Sequence, residues 1–422
     1  MSMANNETQS ILVVGGGMSG MTAAIEAAEA GYDVYIVEKN PYLGGRVAQL
    51  HHYFPKLCPP YCGLEINFRR IKNNPKIRFF TLAELDKVSG GEGNFDVTIK
   101  LNPRFVNESC TACGKCAEAT TMEIDNPFNY GMDKMKAAYL PHELAFPMRY
   151  VIDPALAKSD EARKVKEACP YDAVDLDMGV QTVDLKVGSI VWASGWKPYD
   201  ANKLDTYGFG VFPDVITNVM MERLASYSGP TGGAILRPSN GEAPKNVAFV
   251  QCAGSRDENH LPFCSGICCL ASMKQATYVR EQYPDAKITI FFIDIRATDR
   301  LEDFYRKVKE DENIEFFKGK VAKVTQDESG QGLVLRVENT ATEELKEIPA
   351  DLVVLATGME PNTADAPLPV EVPYDDYGFV ASQNAAPGVY AAGCSRTPIS
   401  VSEAVQDGTA AALKAIQSIA RR

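Results

Sequence analysis

Apolar and polar positions along the 422-residue chain alternate between strand and helix periods in two series, with one interruption between them. The first series opens with SILVVGGGMSGMTAAIEAAEAGYDVYIVEK, which reads as strand, glycine turn, Ala-rich helix and strand. Gly15, Gly17 and Gly20 occupy a G-x-G-x-x-G frame, and Glu38 with Lys39 closes the second strand. Glycines there permit a tight turn and close backbone approach to a pyrophosphate. That anion sits on the positive end of the helix, and an acid at the second strand binds ribose hydroxyls. The whole context predicts a dinucleotide site.

NPYLGGRVAQL follows, and its Gly44-Gly45-Arg46 step resembles the second phosphate-side element of flavoproteins with two dinucleotide domains. Gly45 and Arg46 therefore point to FAD at the first site. From residue 103 to 171 the alternation fails: the stretch carries cysteines, is punctuated by proline and reads as an insertion. The pattern resumes at VDLKVGSIVWASGWKPYD, a strand running into a small-residue turn at Ser194 and Gly195, followed by the Gly, Pro and Ser-rich linker SYSGPTGGAILRPSNGEAPK. A second α/β unit then runs through NVAFVQCAGS, KITIFFID, IEFFKGKVAKV and LVLRVEN. DLVVLATGMEPN repeats the strand and small-residue turn at Gly358, and GVYAAGCSRTPISVSEAVQDGTAAALKAI, with Gly393 and Cys394, reads as the strand and helix closing the FAD domain under the flavin ring.

The expected fold class is α/β: two interleaved Rossmann-like dinucleotide-binding domains of the FAD-dependent disulfide-reductase kind, with an inserted half-ferredoxin segment. The corresponding divisions are 1–102 for the first part of the FAD domain, 103–171 for the insertion and 172–245 for the second part with the linker. The second Rossmann-like domain takes 246–345 and the last part of the FAD domain 346–422.

Composition narrows the function. A net charge of -12 argues against nucleic-acid binding, which needs a positive footprint. No stretch reaches the roughly 18 uncharged apolar residues of a membrane span, and MSMANNETQS lacks the basic start and apolar run of a leader, so a cytoplasmic location is expected. Eleven cysteines in such a chain are not a disulfide framework, and their clustering points to metal or redox work.

Cys110, Cys113 and Cys116 have C-x2-C-x2-C spacing, and Cys169 precedes Pro170. In two-cluster ferredoxins each motif reads C-x2-C-x2-C-x3-C-P, the fourth cysteine serving the other cluster. Here Thr120 replaces the fourth cysteine of the first motif, while Ser159, Ala162 and Val165 replace the first three of the second. What survives is one complete [4Fe-4S] ligand set, with a zinc site or a decayed motif as the alternatives. Cys252, Cys264, Cys268 and Cys269 form a second group, whose spacing is open to a cluster, zinc or plain buried thiols. VQCAGS stands where a second glycine fingerprint would bind NAD(P), so electrons are expected to reach the flavin from metal centres and not from a nicotinamide.

Cys58 and Cys62, in KLCPPYCG, are open to a redox dithiol, ligand or loop-thiol reading. Cys394 stands where related flavoproteins often carry an Asp, and reads best as a small buried residue. His51, His52, His142 and His260 have no metal spacing, and no Ser-His-Asp arrangement is legible.

VVGGGMSGMTAA, LGGR, CTACGKC, SGPTGG, QCAGSRD and CSGICC, spread over nearly the whole length, resemble the A subunits of heterodisulfide reductases. Those proteins generally carry a full two-cluster insertion, and many have further cluster domains. The trimmed form here is similar to the QmoA branch, from the quinone-interacting membrane-bound oxidoreductase complexes of sulfate reducers. The resemblance implies an unusually spaced cluster on Cys252, Cys264, Cys268 and Cys269, and Lys274 near flavin N5 as the catalytic-site cation. The partners it implies are a second flavoprotein of the same kind and a haem-bearing membrane protein, through which the chain is membrane-associated. Electrons would pass between the menaquinone pool and adenylylsulfate reductase. The competing expectation is an NAD(P)H-dependent disulfide or polysulfide reductase using Cys58 and Cys62.

Overall fold

The computed structural model describes residues 9–340 and 342–420. The segment 1–8, read above as part of a leaderless start, lies outside the described residues. A six-stranded sheet forms the centre of the first domain, in the order Asn384–Ala386, Val389–Ala391, Ser189–Trp192, Ile11–Val14, Val34–Glu38, Ile77–Thr81. All neighbours are parallel except the first pair. Side chains of a strand alternate between faces, and here both faces are covered. Ile11 and Val13 pack with the helices, whereas Leu12 and Val14 pack against the three-stranded antiparallel sheet of Ala83–Gly91, Asn94–Leu101 and Gln181–Val187.

The helix Met18–Glu29 buries Ser19, Gly20, Ala23, Ala24, Ala27 and Ala28, and lies against the C-terminal helix Val401–Ala420. Small residues on both helices allow that close approach. A Cβ on Gly408 would stand 2.5 Å from the Ser19 carbonyl oxygen.

The second domain holds a seven-stranded sheet ordered Val215–Thr217, Leu352–Thr357, Asn246–Ala253, Lys287–Phe292, Ile314–Gln326, Leu333–Asn339, Leu345–Ala350. This corrects the expected divisions, because Val215–Thr217 and Leu352–Thr357 were assigned by the sequence to the FAD domain. Strand pairing is set by long-range register, which a local apolar run does not reveal. The second domain lies between two chain crossings, Trp196–Pro198 and Met359–Pro361, which pair with each other as an antiparallel ribbon. The small-residue turns that looked like repeats are these two crossings.

The insertion has its own small core of Phe105, Val106, Ala137, Ile152, Leu156, Val165 and Val174, closed by a bridge between Val106 and Val174. It therefore extends beyond the expected end at 171, and the chain rejoins the FAD domain at Gln181–Val187. Positions where a two-cluster ferredoxin motif would carry further cysteines are packed by other side chains. Val165 is fully buried, and Thr120 Oγ1 donates to the Glu161 carboxylate at 2.5 Å. Hydrogen bonds from Thr120 and Thr121 hold the Glu161 carboxyl down at about 2.

All three parts meet at the helix Asn218–Ala225. Arg223, 1% exposed, donates to Asn129 Oδ1 at 2.8 Å in the insertion, to the Gln49 carbonyl at 3.3 Å in the FAD domain and to the Ser228 carbonyl at 2.9 Å. Beside it Glu222 pairs with Lys274 at 3.0 Å, both side chains being nearly inaccessible, and accepts from the His51 backbone N–H at 3.0 Å. Removing one member of a buried pair strands the other charge, at a cost of roughly 3–5 kcal/mol. Glu222→Leu should lower the urea unfolding free energy by about that much, and adding Lys274→Met should return most of it. Additive losses in the double variant would show that the two groups do not act as a pair.

Candidate functional site: a flavin cavity and two cysteine groups

A cavity of about 460 Å³ opens at the carboxyl ends of the parallel strands in the first domain. Gly15 follows Ile11–Val14, Glu38 ends Val34–Glu38, Ala193 follows Ser189–Trp192 and Ala392 follows Val389–Ala391, and all four line it. This is where open α/β sheets bind ligands. The helix Met18–Glu29 begins at the cavity with Gly17 as its N-terminal flanking residue and no side-chain cap, so its first N–H groups are free to face a phosphate.

The glycines divide by task. Gly15 has φ +107°, and a Cβ there would lie 2.2 Å from the Ala193 carbonyl oxygen, so it serves the packing of adjacent strands. A Cβ on Gly20 would strike the Gly15 carbonyl at 1.9 Å. At Gly17 the nearest atom would be Gly45 Cα at 3.8 Å, which leaves its face open to a ligand. Burial raises the Glu38 carboxyl, against hydrogen bonds that lower it, including those from the backbone N–H groups of Asn40 at 2.7 Å and Gly16 at 2.6 Å. These features fit a dinucleotide with its pyrophosphate at the helix start.

Arg46 lines the cavity as a strut. Its guanidinium donates to the Trp196 carbonyl at 2.6 Å and the Tyr130 hydroxyl at 3.2 Å, and lies 5.1 Å from the Trp196 ring centre. Gly45 and Cys394 also line the cavity, and burial pushes the Cys394 thiol up to about 11. Five expected positions are not among its lining residues. Lys39 is exposed, Gly20 and Gly393 serve packing, the latter against Ser19, and Gly358 lies beside Ser255 and Ser265 in the second domain. Lys274 is on the expected helix, Cys268–Gln282, but is not among the cavity residues; its ammonium is held between Glu222 and the His52 carbonyl.

The sequence reading missed Trp196, which directly follows the first small-residue turn, and Asn362, which follows the strand Met359–Pro361; both line the cavity. It also missed Phe128, Tyr130, Met135 and Tyr139, through which the insertion closes one wall. Their aromatic and thioether side chains follow no period that could have marked them.

Cys110, Cys113, Cys116 and Cys169 come together around one small pocket with Tyr150 and Tyr171. The Ala112 N–H donates to Cys110 Sγ at 3.4 Å and the Ala173 N–H to Cys169 Sγ at 3.3 Å. Burial pushes the Cys116 thiol up to about 11, the neighbouring Cys110 and Cys113 adding to the shift. Among the described residues, no three His, Cys, Asp or Glu side chains stand as ligands of a single metal ion.

The second group is arranged around the start of Cys268–Gln282. Cys268 and Cys269 occupy its first turn, where a nucleotide-binding domain would present a glycine turn to a phosphate. Cys252 sits in a bulge of Asn246–Ala253 with φ +57°, a conformation non-glycine residues rarely adopt; bulges re-aim a side chain. Burial raises the thiols of Cys252, to about 11, and of Cys268, and each is raised further by Cys264 and Cys269. The four thiols therefore stand close enough to act on one another.

Residues 10–56 match the family described as FAD dependent oxidoreductase, and residues 289–408 that described as pyridine nucleotide-disulphide oxidoreductase. Two solved thioredoxin reductases share the fold. That of T. acidophilum is 15% identical with a TM-score of 0.52 over 97% of this chain and 98% of that one. That of Lactococcus lactis is 14% identical with a TM-score of 0.53 over 98% and 100%. The chain has the thioredoxin-reductase-like fold, and its first glycine turn falls within the match to FAD dependent oxidoreductases. It is a relative of the A subunits of CoB-CoM heterodisulfide reductases. It is 38% identical to the A subunit of the ferredoxin/F(420)H(2)-dependent CoB-CoM heterodisulfide reductase of Methanosarcina acetivorans, over 99% of this chain and 54% of that protein. It is 37% identical to the second of the iron-sulfur A subunits of the Methanopyrus kandleri enzyme, over 98% and 65%. The chain thus spans between about half and two thirds of those relatives.

Gly17→Ala tests the cofactor without disturbing the fold, since its Cβ would make only an ordinary contact with Gly45 Cα at 3.8 Å. The variant should keep the wild-type thermal midpoint of the flavin-free protein and bind FAD at least about tenfold more weakly, a loss of about 1.4 kcal/mol. Unchanged FAD affinity, measured by fluorescence titration, would remove the pyrophosphate from the helix start.

Proposed function

We propose that the chain is an electron-transfer flavoprotein subunit, holding FAD and two [4Fe-4S] clusters, within a heterodisulfide-reductase-like complex. The observation that carries this reading is the replacement of a second glycine turn by Cys268 and Cys269 at a helix start, with Cys252 and Cys264 beside them. Cys110, Cys113, Cys116 and Cys169 hold the first cluster, near the surface of the insertion, and Cys252, Cys264, Cys268 and Cys269 the second. Bound FAD exchanges electrons one or two at a time, which lets it join one-electron clusters to two-electron partners. The protein's own residues fix its place: Gly17 and the helix start hold the pyrophosphate, Glu38 the ribose, and Arg46 braces the wall formed by Trp196 and Tyr130. Lys274 supplies positive charge close to the junction of the domains.

The half-sized insertion favours the quinone-interacting branch, with electrons passing between the menaquinone pool and adenylylsulfate reductase. A second flavoprotein of the same kind and a haem-bearing membrane protein complete the complex. Among the described residues no helix is long and apolar enough to cross a membrane. Attachment to a membrane from the cytoplasmic side would then come from those partners.

The competing reading needs a dithiol at the flavin and a nicotinamide site. Cys58 is half-buried, Cys62 is exposed, and neither lines the flavin cavity. Anaerobic mixing with NADH or NADPH should leave the flavin oxidised over many minutes, and rapid bleaching by either would restore the disulfide-reductase reading.

Anaerobically prepared protein should contain roughly eight irons per chain, falling to roughly four in Cys268→Ala/Cys269→Ala. Cys169→Ser should lose as much iron as Cys113→Ser, although it lies on a different part of the insertion. Four irons in the unaltered protein would reduce the second group to buried thiols, and full retention in Cys169→Ser would break the first ligand set.

A further inference from the structure

The second cysteine group is accompanied by buried polar atoms that have no partner. Ser255 is 3% exposed and its Oγ makes no hydrogen bond; Gln251, 6% exposed and next to Cys252, has both side-chain amide atoms unpaired. Buried hydroxyls are almost always paired, so an orphan implies an acceptor that arrives with something else. The surroundings of Ser255 indicate what that is. Its backbone N–H bonds to the Cys252 carbonyl at 3.1 Å, closing a four-residue turn that sets the two residues side by side.

On its other side the Ser255 hydroxyl lies in the space left by Gly358, where a Cβ would meet it at 2.1 Å. The residue before Gly358 is Thr357, whose carbonyl contacts Cys268 Sγ at 3.6 Å. Ser265, next to Cys264, has its hydroxyl occupied as acceptor for the Met359 N–H at 2.9 Å. Ser255 thus shares a turn with Cys252 and stands against Gly358, the neighbour of the residue that contacts Cys268, with a free donor.

We propose that the Ser255 hydroxyl is a hydrogen-bond donor to the sulfur shell of the metal group held by Cys252, Cys264, Cys268 and Cys269, and that it raises the reduction potential of that group. The inference rests on the cluster reading of these cysteines given above. Sulfur in such a group is an acceptor whose negative charge grows on reduction, so a donor favours the reduced form. The absence of a side chain at Gly358 keeps room for the hydroxyl; any Cβ there would displace it.

Ser255→Ala isolates the effect, because the hydroxyl has no partner to lose in the metal-free protein. Reconstituted Ser255→Ala should retain wild-type iron while the second cluster's potential, followed by electron paramagnetic resonance in a redox titration, shifts to a lower value. Iron release to a chelator should be at least severalfold faster than from the unaltered protein. The metal-free variant should melt no lower than its parent. Unchanged potential with iron retained would overturn the role of Ser255 alone, whereas absence of the second cluster from the unaltered protein would overturn the reading beneath it. A lower melting point of the metal-free variant, with no change in potential, would assign the hydroxyl to packing.

Discussion

The structure depends on two adjacent buried charges. Glu222 and Arg223 follow one another in a single helical turn, and their side chains leave in different directions into different parts of the molecule. Arg223 reaches the insertion and the FAD domain through Asn129 and the Gln49 carbonyl, with the Phe128 ring 4.6 Å from its guanidinium. Glu222 turns to Lys274, Gln275 and the His51 N–H. Burying charges is costly unless each is paired and hydrogen-bonded, and here nearly every donor and acceptor is engaged. The cost is accepted at a place where all three parts touch, so their relative arrangement is specified by directional contacts and not by apolar packing alone.

From that junction the flavin cavity inherits its walls. Gln49 carries the Arg223 contact at its carbonyl and lines the cavity with its side chain, bonding the Tyr130 hydroxyl at 3.2 Å. Phe128 stacks on His142 at 4.6 Å and presents another part of itself to the cavity. The insertion is therefore both a carrier of cysteines and a piece of the flavin site. Val165 and the Thr120 to Glu161 contact occupy positions that carry cysteines in two-cluster ferredoxins, and they pack the insertion there instead.

The local parts of this architecture were legible in the sequence. Strand, glycine turn and helix around Gly15 to Glu38 are encoded within thirty residues or so by residue type and period alone. The spacing at Cys110, Cys113 and Cys116, with Cys169 before Pro170, suggested a single ligand set, and the four line one small pocket. The illegible parts are those fixed by distant pairing. Leu352–Thr357 looks like a strand of the first domain because nothing in its own six residues says which edge it meets. Lys274 was expected at the flavin by resemblance, yet its nearest charge, Glu222, is fifty residues away in sequence and decides where the ammonium rests. Gly358 was read as a turn glycine for a nucleotide, whereas its missing side chain makes room for a serine hydroxyl.

The paired crossings have a mechanical consequence. Trp196 and Asn362, together at the FAD end of the ribbon, line the flavin cavity, while Thr357, just before its second strand, contacts Cys268. Two chains hydrogen-bonded to each other resist twisting far better than two separate linkers, and the salt bridge from Lys197 to Asp365 adds a further tie. A protein that must admit and release a diffusing coenzyme benefits from a swivel between its domains. One that hands electrons from one fixed centre to another benefits from a spacer of constant length, and the ribbon has the construction of a gauge block more than that of a hinge.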